Sequence, residues 1–286
     1  MEQLTKEAYA KINLGLDVLR RREDGYHEVK MVMQTVGISD TLTFTRKSEQ
    51  GITLKIDNTE LSAGEDNLIC RAAKQLFIRA GITQGVDIFL QKRIPIAAGM
   101  AGGSTDAAAA LLGLNELLGI GYSIEQLQDI GVKLGADIPY CIMGGTALAE
   151  GIGATLTKLP MPPQCILVVA KPDINVSTKF VYENLHADTL SYHPDIDGMV
   201  EAIKAGSLSG ITDRLGNVLE TVTVREYPVI DTIKSLMKSE GAENALMSGS
   251  GPTVFGIFTM EEDARKAAEQ IRAQKLAQKV FVTEFV

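Results

Sequence analysis

Hydrophobic and polar positions alternate over residues 10–19: Ile12, Leu14, Leu16 and Val18 fall on one side, Lys11, Asn13, Gly15 and Asp17 on the other. The two-residue period predicts a half-buried strand with Lys11 and Asn13 side by side on its polar face. Strand patterns recur at 29–36, 41–44, 52–56 and 86–90. Leu68, Ala72, Leu76 and Ala80 follow a helical period, opened by Asp66 or Asn67 as N-cap and closed by Gly81. Residues 107–118 read as an apolar helix closed by Gly119. Ser123 with Gln126 then makes a capping box for a helix carrying Ile124, Leu127, Ile130 and Leu134, stopped by Gly135.

Glycines crowd 144–145 and 151–153, and Leu159-Pro160-Met161-Pro162-Pro163 interrupts the pattern, which predicts one domain over 1–160 and a second over 161–286. The second opens with a continuous apolar run at 165–170, the mark of a buried strand. Helical patterns follow at 178–185, 196–205, 207–219 and 227–238. Strands recur at 243–247, 253–258 and 280–285, with a helix at 261–274 between the last two. Segregated strands and helices of this kind predict an α+β fold. Ser248-Gly249-Ser250-Gly251-Pro252 reads as a hairpin turn between two of the strands.

A chain of 286 residues has room for two domains with substantial cores. Its net charge of -8, from 28 basic and 36 acidic side chains, argues against gripping nucleic acid as the main task, so any phosphate site must be made locally. The first six residues are polar, and no apolar run approaches a membrane span; the expectation is a cytoplasmic protein. Cys70, Cys141 and Cys165 are odd in number and widely spaced, which predicts buried thiols. His27, His186 and His193 show no metal-ligand spacing.

Candidate chemistry concentrates in Pro95-Ile96-Ala97-Ala98-Gly99-Met100-Ala101-Gly102-Gly103-Ser104-Thr105-Asp106, a glycine-rich loop between a strand and a helix. Glycine removes side chains where a ligand must touch the main chain, and first-turn amides of a helix bind anions. The loop is therefore either a nucleotide-phosphate cradle or a tight turn; its spacing fits neither the Walker A pattern nor the dinucleotide fingerprint. Tyr26 and His27 either line a pocket or cap a sheet edge. Lys11 reads as a solvated lysine or a site residue. Asp137, in Gly135-Ala136-Asp137-Ile138-Pro139, stands at the predicted C-terminal end of a helix, where a negative charge is unfavourable, so it is either a turn residue or is held by something else.

Three features taken together resemble the GHMP kinases, the family of galactokinase, homoserine kinase and mevalonate kinase: the Lys-x-Asn strand, the Gly-Met-Ala-Gly-Gly-Ser-Thr loop and the late Ser-Gly-Ser-Gly-Pro loop. Ala10-Lys11-Ile12-Asn13-Leu14, Asp24-Gly25-Tyr26-His27, Glu65-Asp66-Asn67-Leu68-Ile69 and Leu134-Gly135-Ala136-Asp137-Ile138-Pro139 resemble the branch acting on a cytidylylated methylerythritol. The resemblance implies a two-domain fold, ribosomal-protein S5 domain 2-like at the N-terminus and ferredoxin-like at the C-terminus, with ATP and substrate in the cleft between them. It implies ATP-dependent phosphorylation of the substrate's 2-hydroxyl, a step of the non-mevalonate isoprenoid route. By the same resemblance Asp137 is the base and Lys11 its cationic partner. The loop from Pro95 to Thr105, with Asn67, binds ATP; Asn13, Tyr26, His27, Tyr182 and Gly249 bind substrate.

Magnesium accompanies ATP with no acidic ligand assigned, leaving the Ser104 or Thr105 hydroxyl. Kinases of the family for another small alcohol, and a nucleotide-binding regulator without turnover, remain as alternatives. Tyr26, His27 and Tyr182 separate the first, since homoserine and mevalonate have no base to stack, and intact Lys11 and Asp137 argue against the second. Met100 and Ala101 stand where relatives carry Leu and Gly; the Ala matters only if its φ is positive.

Overall fold

Two strands run far longer than their patterns predict. In the computed structural model, which describes residues 2–58 and 60–286, β1 spans Gln3–Arg21 and β2 His27–Lys47. Met1, first residue of the polar N-terminal stretch, and Thr59 lie outside the described residues. β2 has no break between the two strands predicted within it. Asp40, which suggests one, is fully buried and serves as an acceptor for the Arg93 and Ile94 amides and the Lys92 ammonium.

Then come β3 (Ile52–Ile56), α1 (Leu68–Ala80), β4 (Gly85–Gln91), α2 (Gly102–Leu117), α3 (Ile124–Gly131) and α4 (Ile138–Met143). β5 (Thr146–Gly151), β6 (Thr155–Leu159), β7 (Ile166–Lys171), α5 (Thr178–Asn184), α6 (Ile196–Lys204), α7 (Leu208–Thr212), β8 (Gly216–Asn217) and α8 (Glu220–Glu226) follow. The chain closes with α9 (Val229–Ser239), β9 (Asn244–Met247), β10 (Val254–Phe258), α10 (Glu261–Ala273) and β11 (Lys279–Glu284). These elements form two compact units that alternate along the sequence. The first takes residues through Ala10, Ile38–Ile94 and Ala101–Gly144; the second takes Lys11–Gly37, Pro95–Met100 and Gly145–Val286.

In the first unit the strand order is β3-β4-β2-β1, with β3 parallel to β4 and β4 antiparallel to β2. Its core joins Leu42, Phe44 and Ile88 of the strands to Leu76, Leu111 and Leu114 of the helices, each such burial worth about 1.5–3 kcal/mol. α1 begins and ends as its pattern predicts, with the Asn67 side chain accepting from the Ile69 amide and Gly81 in the left-handed region at φ 66°. The capping box of Ser123 and Gln126 is present at α3, whose regular turns end at Gly131. α2 is apolar nearly all round and accordingly buried; at Gly113 a Cβ would collide with the Phe44 ring. α2 also opens earlier than predicted, from Ala101 at φ 57°, a left-handed conformation that an alanine adopts at a cost.

Beneath the start of α2 lies a buried charge cluster that no local pattern announces. The Lys92 ammonium bonds both Asp40 and Asp106, the latter at 2.8 Å, and all three side chains are nearly inaccessible. Burial raises the Asp106 carboxyl to about 8, with the Lys92 charge opposing the rise and Asp40 adding to it.

The second unit contains the strands β6-β5-β2-β1-β8. The β5–β6 hairpin falls in the glycine-rich stretch where no strand is predicted, and pairing with β2 fixes it there. β8 and α8 replace the end of the helix expected over 207–219 and the gap after it; β8 pairs in parallel with β1, Gly15 opposite Gly216 and Leu16 opposite Asn217. A separate antiparallel sheet has the order β11-β7-β10-β9. With α9 and α10 it follows the β-α-β-β-α-β path of a ferredoxin-like domain, and the predicted α+β class holds. Among the described residues no helix is long and apolar enough to cross a membrane. Cys165 is buried, whereas Cys70 and Cys141 are half-buried.

Two stability measurements follow from the start of α2. The folded chain holds the Asp106 proton more tightly than the unfolded chain, where a carboxyl titrates near about 3.9. The contribution of this group to stability is therefore full below about pH 4 and is lost as pH rises toward about 8. In urea unfolding, Asp106→Asn should gain on the wild type between pH 6 and pH 9, both values being about one to two units either side of that titration; parallel pH profiles would contradict the assignment. Ala101→Gly should add about 0.5–1 kcal/mol, the relief of left-handed strain less the extra unfolded-state freedom of glycine, and a lower urea midpoint would refute it.

Candidate active site

Lys11 and Asn13 share one face of β1, as their spacing predicts, and both are buried. The Lys11 ammonium donates to Asn13 Oδ1 at 2.7 Å and, within its unit, pairs with no carboxylate. Asn13 Nδ2 points at Met31 Sδ, 3.2 Å away, and its backbone amide donates to Ser248 Oγ at 3.3 Å. Among the described residues of its unit, this buried ammonium has one neutral acceptor and no anion to offset its desolvation. Such a group is suited to an anionic ligand.

Two glycine-rich loops close on this pair. The Lys11 amide donates to Met100 O, which anchors the Pro95–Met100 segment to β1. The late loop does join two antiparallel strands, β9 and β10, and the Gly251–Pro252 bond within it is cis. A Cβ on Gly99, at φ 70°, would stand 2.5 Å from Ser248 O, and one on Gly249, at φ 58°, would stand 3.1 Å from Gly99 O. The loops thus meet backbone to backbone, in conformations that favour glycine. Ser248 Oγ donates to Gly99 O at 3.1 Å and so ties β1, the first loop and the last together. Thr178 at the start of α5 reaches Ser250 Oγ at 2.8 Å, and Thr223 donates to Ser250 O at 3.1 Å. Sequence reasoning selects Gly249 from this loop and passes over Ser248, although the Ser-Gly-Ser-Gly-Pro motif contains it.

His27 and Tyr182 come together: their ring centroids are 5.0 Å apart and tilted by 39°. The turn before His27 is set by Gly25 at φ 87° and by Asp24, which accepts from the Tyr26 amide and from the Arg22 guanidinium. Tyr26 itself is 62% exposed, an aromatic face open to solvent. Burial, with the Arg21 charge as a smaller cause, pushes the His27 imidazole below its ordinary value. Near neutral pH the ring is uncharged and offers one donor and one acceptor.

In the first unit, Ala101 supplies no side-chain cap, so the amides of Gly102, Gly103 and Ser104 open α2 at the positive end of its dipole. These amides run up to Ser104 because the helix starts at Gly102. Thr105 is buried and gives its hydroxyl proton to Tyr9 O at 2.7 Å, whereas Ser104 is half-buried. Asn67 uses both ends of its side chain locally, accepting from the Ile69 amide and donating to Ser62 O. Leu68 beside it lies 3.5 Å from where a Cβ on Gly103 would stand.

Asp137 requires a correction. It is the N-cap residue of α4, with Pro139 in the first turn and its carbonyl accepting from Cys141, so it stands at the favourable end of a helix dipole. The half-buried carboxylate has no hydrogen-bond partner within its unit. No group of three His, Cys, Asp or Glu side chains suited to a metal ion occurs among the described residues.

Comparison with known proteins places these features. Residues 67–145 match the model of the GHMP kinases N terminal domain, and residues 199–277 that of the GHMP kinases C terminal domain. The chain is 50% identical to the 4-diphosphocytidyl-2-C-methyl-D-erythritol kinase of Lachnospira eligens over 99% of both chains. It is 46% identical to the protein of the same name from Caldicellulosiruptor bescii, over 98% of this chain and 96% of that one. A crystal structure of 4-(cytidine 5'-diphospho)-2C-methyl-D-erythritol kinase superposes with a TM-score of 0.85 at 33% identity, covering 99% of each chain. The homoserine kinase of Cytophaga hutchinsonii, at 20% identity and a TM-score of 0.79 over 99% of this chain and 94% of that one, shares the fold. A Lys-x-Asn strand facing two abutting glycine loops, found in a chain half identical over its length to named kinases, identifies it as a member of the GHMP kinases, in the branch of the 4-diphosphocytidyl-2-C-methyl-D-erythritol kinases.

Proposed function

We propose that the chain transfers the γ-phosphoryl group of ATP to the 2-hydroxyl of 4-diphosphocytidyl-2-C-methyl-D-erythritol, in the non-mevalonate route to isoprenoids. The observation that carries this reading is the buried Lys11 ammonium, held by Asn13 and by no carboxylate of its unit, beside loops stripped of side chains. An approaching phosphoryl group brings negative charge to that ammonium. In the reaction the substrate hydroxyl oxygen forms a bond to the γ-phosphorus, the bond from that phosphorus to the β,γ-bridging oxygen breaks, and ADP leaves. Asp137, with Lys11 as its cationic partner, receives the hydroxyl proton, and Lys11 also offsets charge on the transferring group. An alcohol is a far weaker acid than a carboxylic acid, so the proton moves only as the new bond forms. Position and charge then account for most of the rate.

The Pro95–Met100 segment and the first-turn amides of α2 cradle the phosphates, and Asn67 borders them through the cap of α1. Magnesium would be held chiefly by the nucleotide's phosphate oxygens and would offset their charge, with the half-buried Ser104 hydroxyl the better-suited protein oxygen, since Thr105 is committed to Tyr9. Tyr26 and Tyr182 stack on cytosine, neutral His27 reads its polar edge, and Asn13 and Gly249 orient the rest of the substrate. Both ligands are anionic nucleotides, which fits a cytoplasmic setting.

The test is phosphate transfer from ATP with magnesium to this substrate, beside mevalonate, homoserine and galactose, for the wild type, Lys11→Ala and Asp137→Asn. Transfer to the cytidylylated alcohol alone is expected, with kcat lower by about 100-fold or more in each variant while both still bind nucleotide. Preferred transfer to another alcohol would overturn the substrate, and a near-normal rate in Asp137→Asn would remove it as the base.

A further inference from the structure

Asn217 belongs to β8, the two-residue strand that pairs with β1 at Gly15 and Leu16. Its side chain is 5% exposed and fully used. Nδ2 donates to Met247 O and to Gly249 O, each at 2.8 Å, and Oδ1 accepts from the Leu219 amide at 3.0 Å. The two carbonyls flank Ser248, whose hydroxyl bridges the Asn13 amide and Gly99 O. One amide side chain therefore grips the late glycine loop on both sides of the residue that joins it to the first.

The grip also fixes amides. A trans peptide points its carbonyl and the following N–H in opposite directions. Held at Met247 O, the chain sends the Ser248 amide to Thr253 O, 2.8 Å away. Held at Gly249 O, it turns the Ser250 amide away from β8. Among the described residues of its unit the Ser250 amide donates to no acceptor, although Ser250 is buried. A buried amide left open within its own unit, next to a left-handed glycine, is suited to meet an anionic oxygen.

We propose that Asn217 is a positioning residue for phosphoryl transfer: by holding the Met247 and Gly249 carbonyls it sets Ser248 between β1 and the first loop and aims the Ser250 amide at an oxygen of the bound phosphates. The identity of that oxygen rests on the phosphoryl-transfer reading; the grip itself does not. A side chain that merely satisfied buried carbonyls would affect stability without governing the loop's order or its coupling to Ser248.

The experiment uses the full chain as wild type, Asn217→Ala, Asn217→Asp, Ser248→Ala and the double variant of Asn217→Ala with Ser248→Ala. Asn217→Asp keeps the size and the Oδ1 acceptor while losing the paired donor, and it serves if Asn217→Ala does not fold. Hydrogen exchange across 248–251 should quicken by about ten-fold or more in both Asn217 variants, with β7 and α10 unchanged. Their kcat should fall by about 10- to 100-fold with the KM for ATP within about three-fold, and the double variant should lose no more than the worse single. Unchanged exchange across 248–251, a kcat within about two-fold of wild type, or losses that multiply in the double variant would each overturn the proposal. If the wild type phosphorylates none of the tested alcohols yet shows the exchange contrast, the substrate reading fails and the grip of Asn217 stands.

Discussion

A Cβ on Gly99 would stand 2.5 Å from the Ser248 carbonyl oxygen and 3.0 Å from that of Gly251, and the arrangement around Lys11 and Asn13 depends on that space staying empty. Because it is empty, the Pro95–Met100 segment lies directly on the turn between β9 and β10, and Ser248 reaches both Gly99 O and the Asn13 amide. β1, the first loop and the last loop are then one hydrogen-bonded assembly, although residues 13, 99 and 248 are remote in sequence. Removing side chains at the contact leaves main-chain groups as the surface there, with few torsions left to order.

Two buried lysines show how differently the same charge is used. Lys92 has two carboxylates, Asp40 and Asp106, and one of those is itself raised to about 8 by burial, so the lysine's charge is paired within the fold. Lys11 has an amide oxygen only, within its unit. A buried cation without an anion in its own unit is costly, commonly by several kcal/mol, unless a charge from elsewhere meets it. That contrast, rather than the presence of a buried lysine as such, is what supports the proposed role of β1.

Local signals were legible where a short pattern is sufficient to determine structure. Asn67 and Gly81 bound α1, Ser123 and Gln126 open α3, and the alternation around Ile12 and Leu14 marks β1. What stayed hidden depends on remote partners. Ala- and Gly-rich β5 is a strand because β2 pairs with it, and β8 exists through two parallel partners on β1, inside a stretch whose apolar spacing reads as helix. Asp137 was misplaced because α3 ends at Gly131 and a new helix begins at Asp137, a restart signalled only by Pro139. The glycine loops, Lys11 and Asn13 could be found from sequence; that Asn217 and Ser248 hold them together could not, since residues 217, 248 and 99 meet only in the folded chain.

Gly99→Ala tests most directly whether the side-chain-free contact between the loops sets the site. The variant should unfold cooperatively with a loss of about 1–3 kcal/mol, bind nucleotide, and turn over at least about 100-fold more slowly than wild type, because displaced backbone rather than lost fold limits it. A kcat within about two-fold of wild type in the folded variant would contradict the account, since the loops could then separate without consequence for the chemistry.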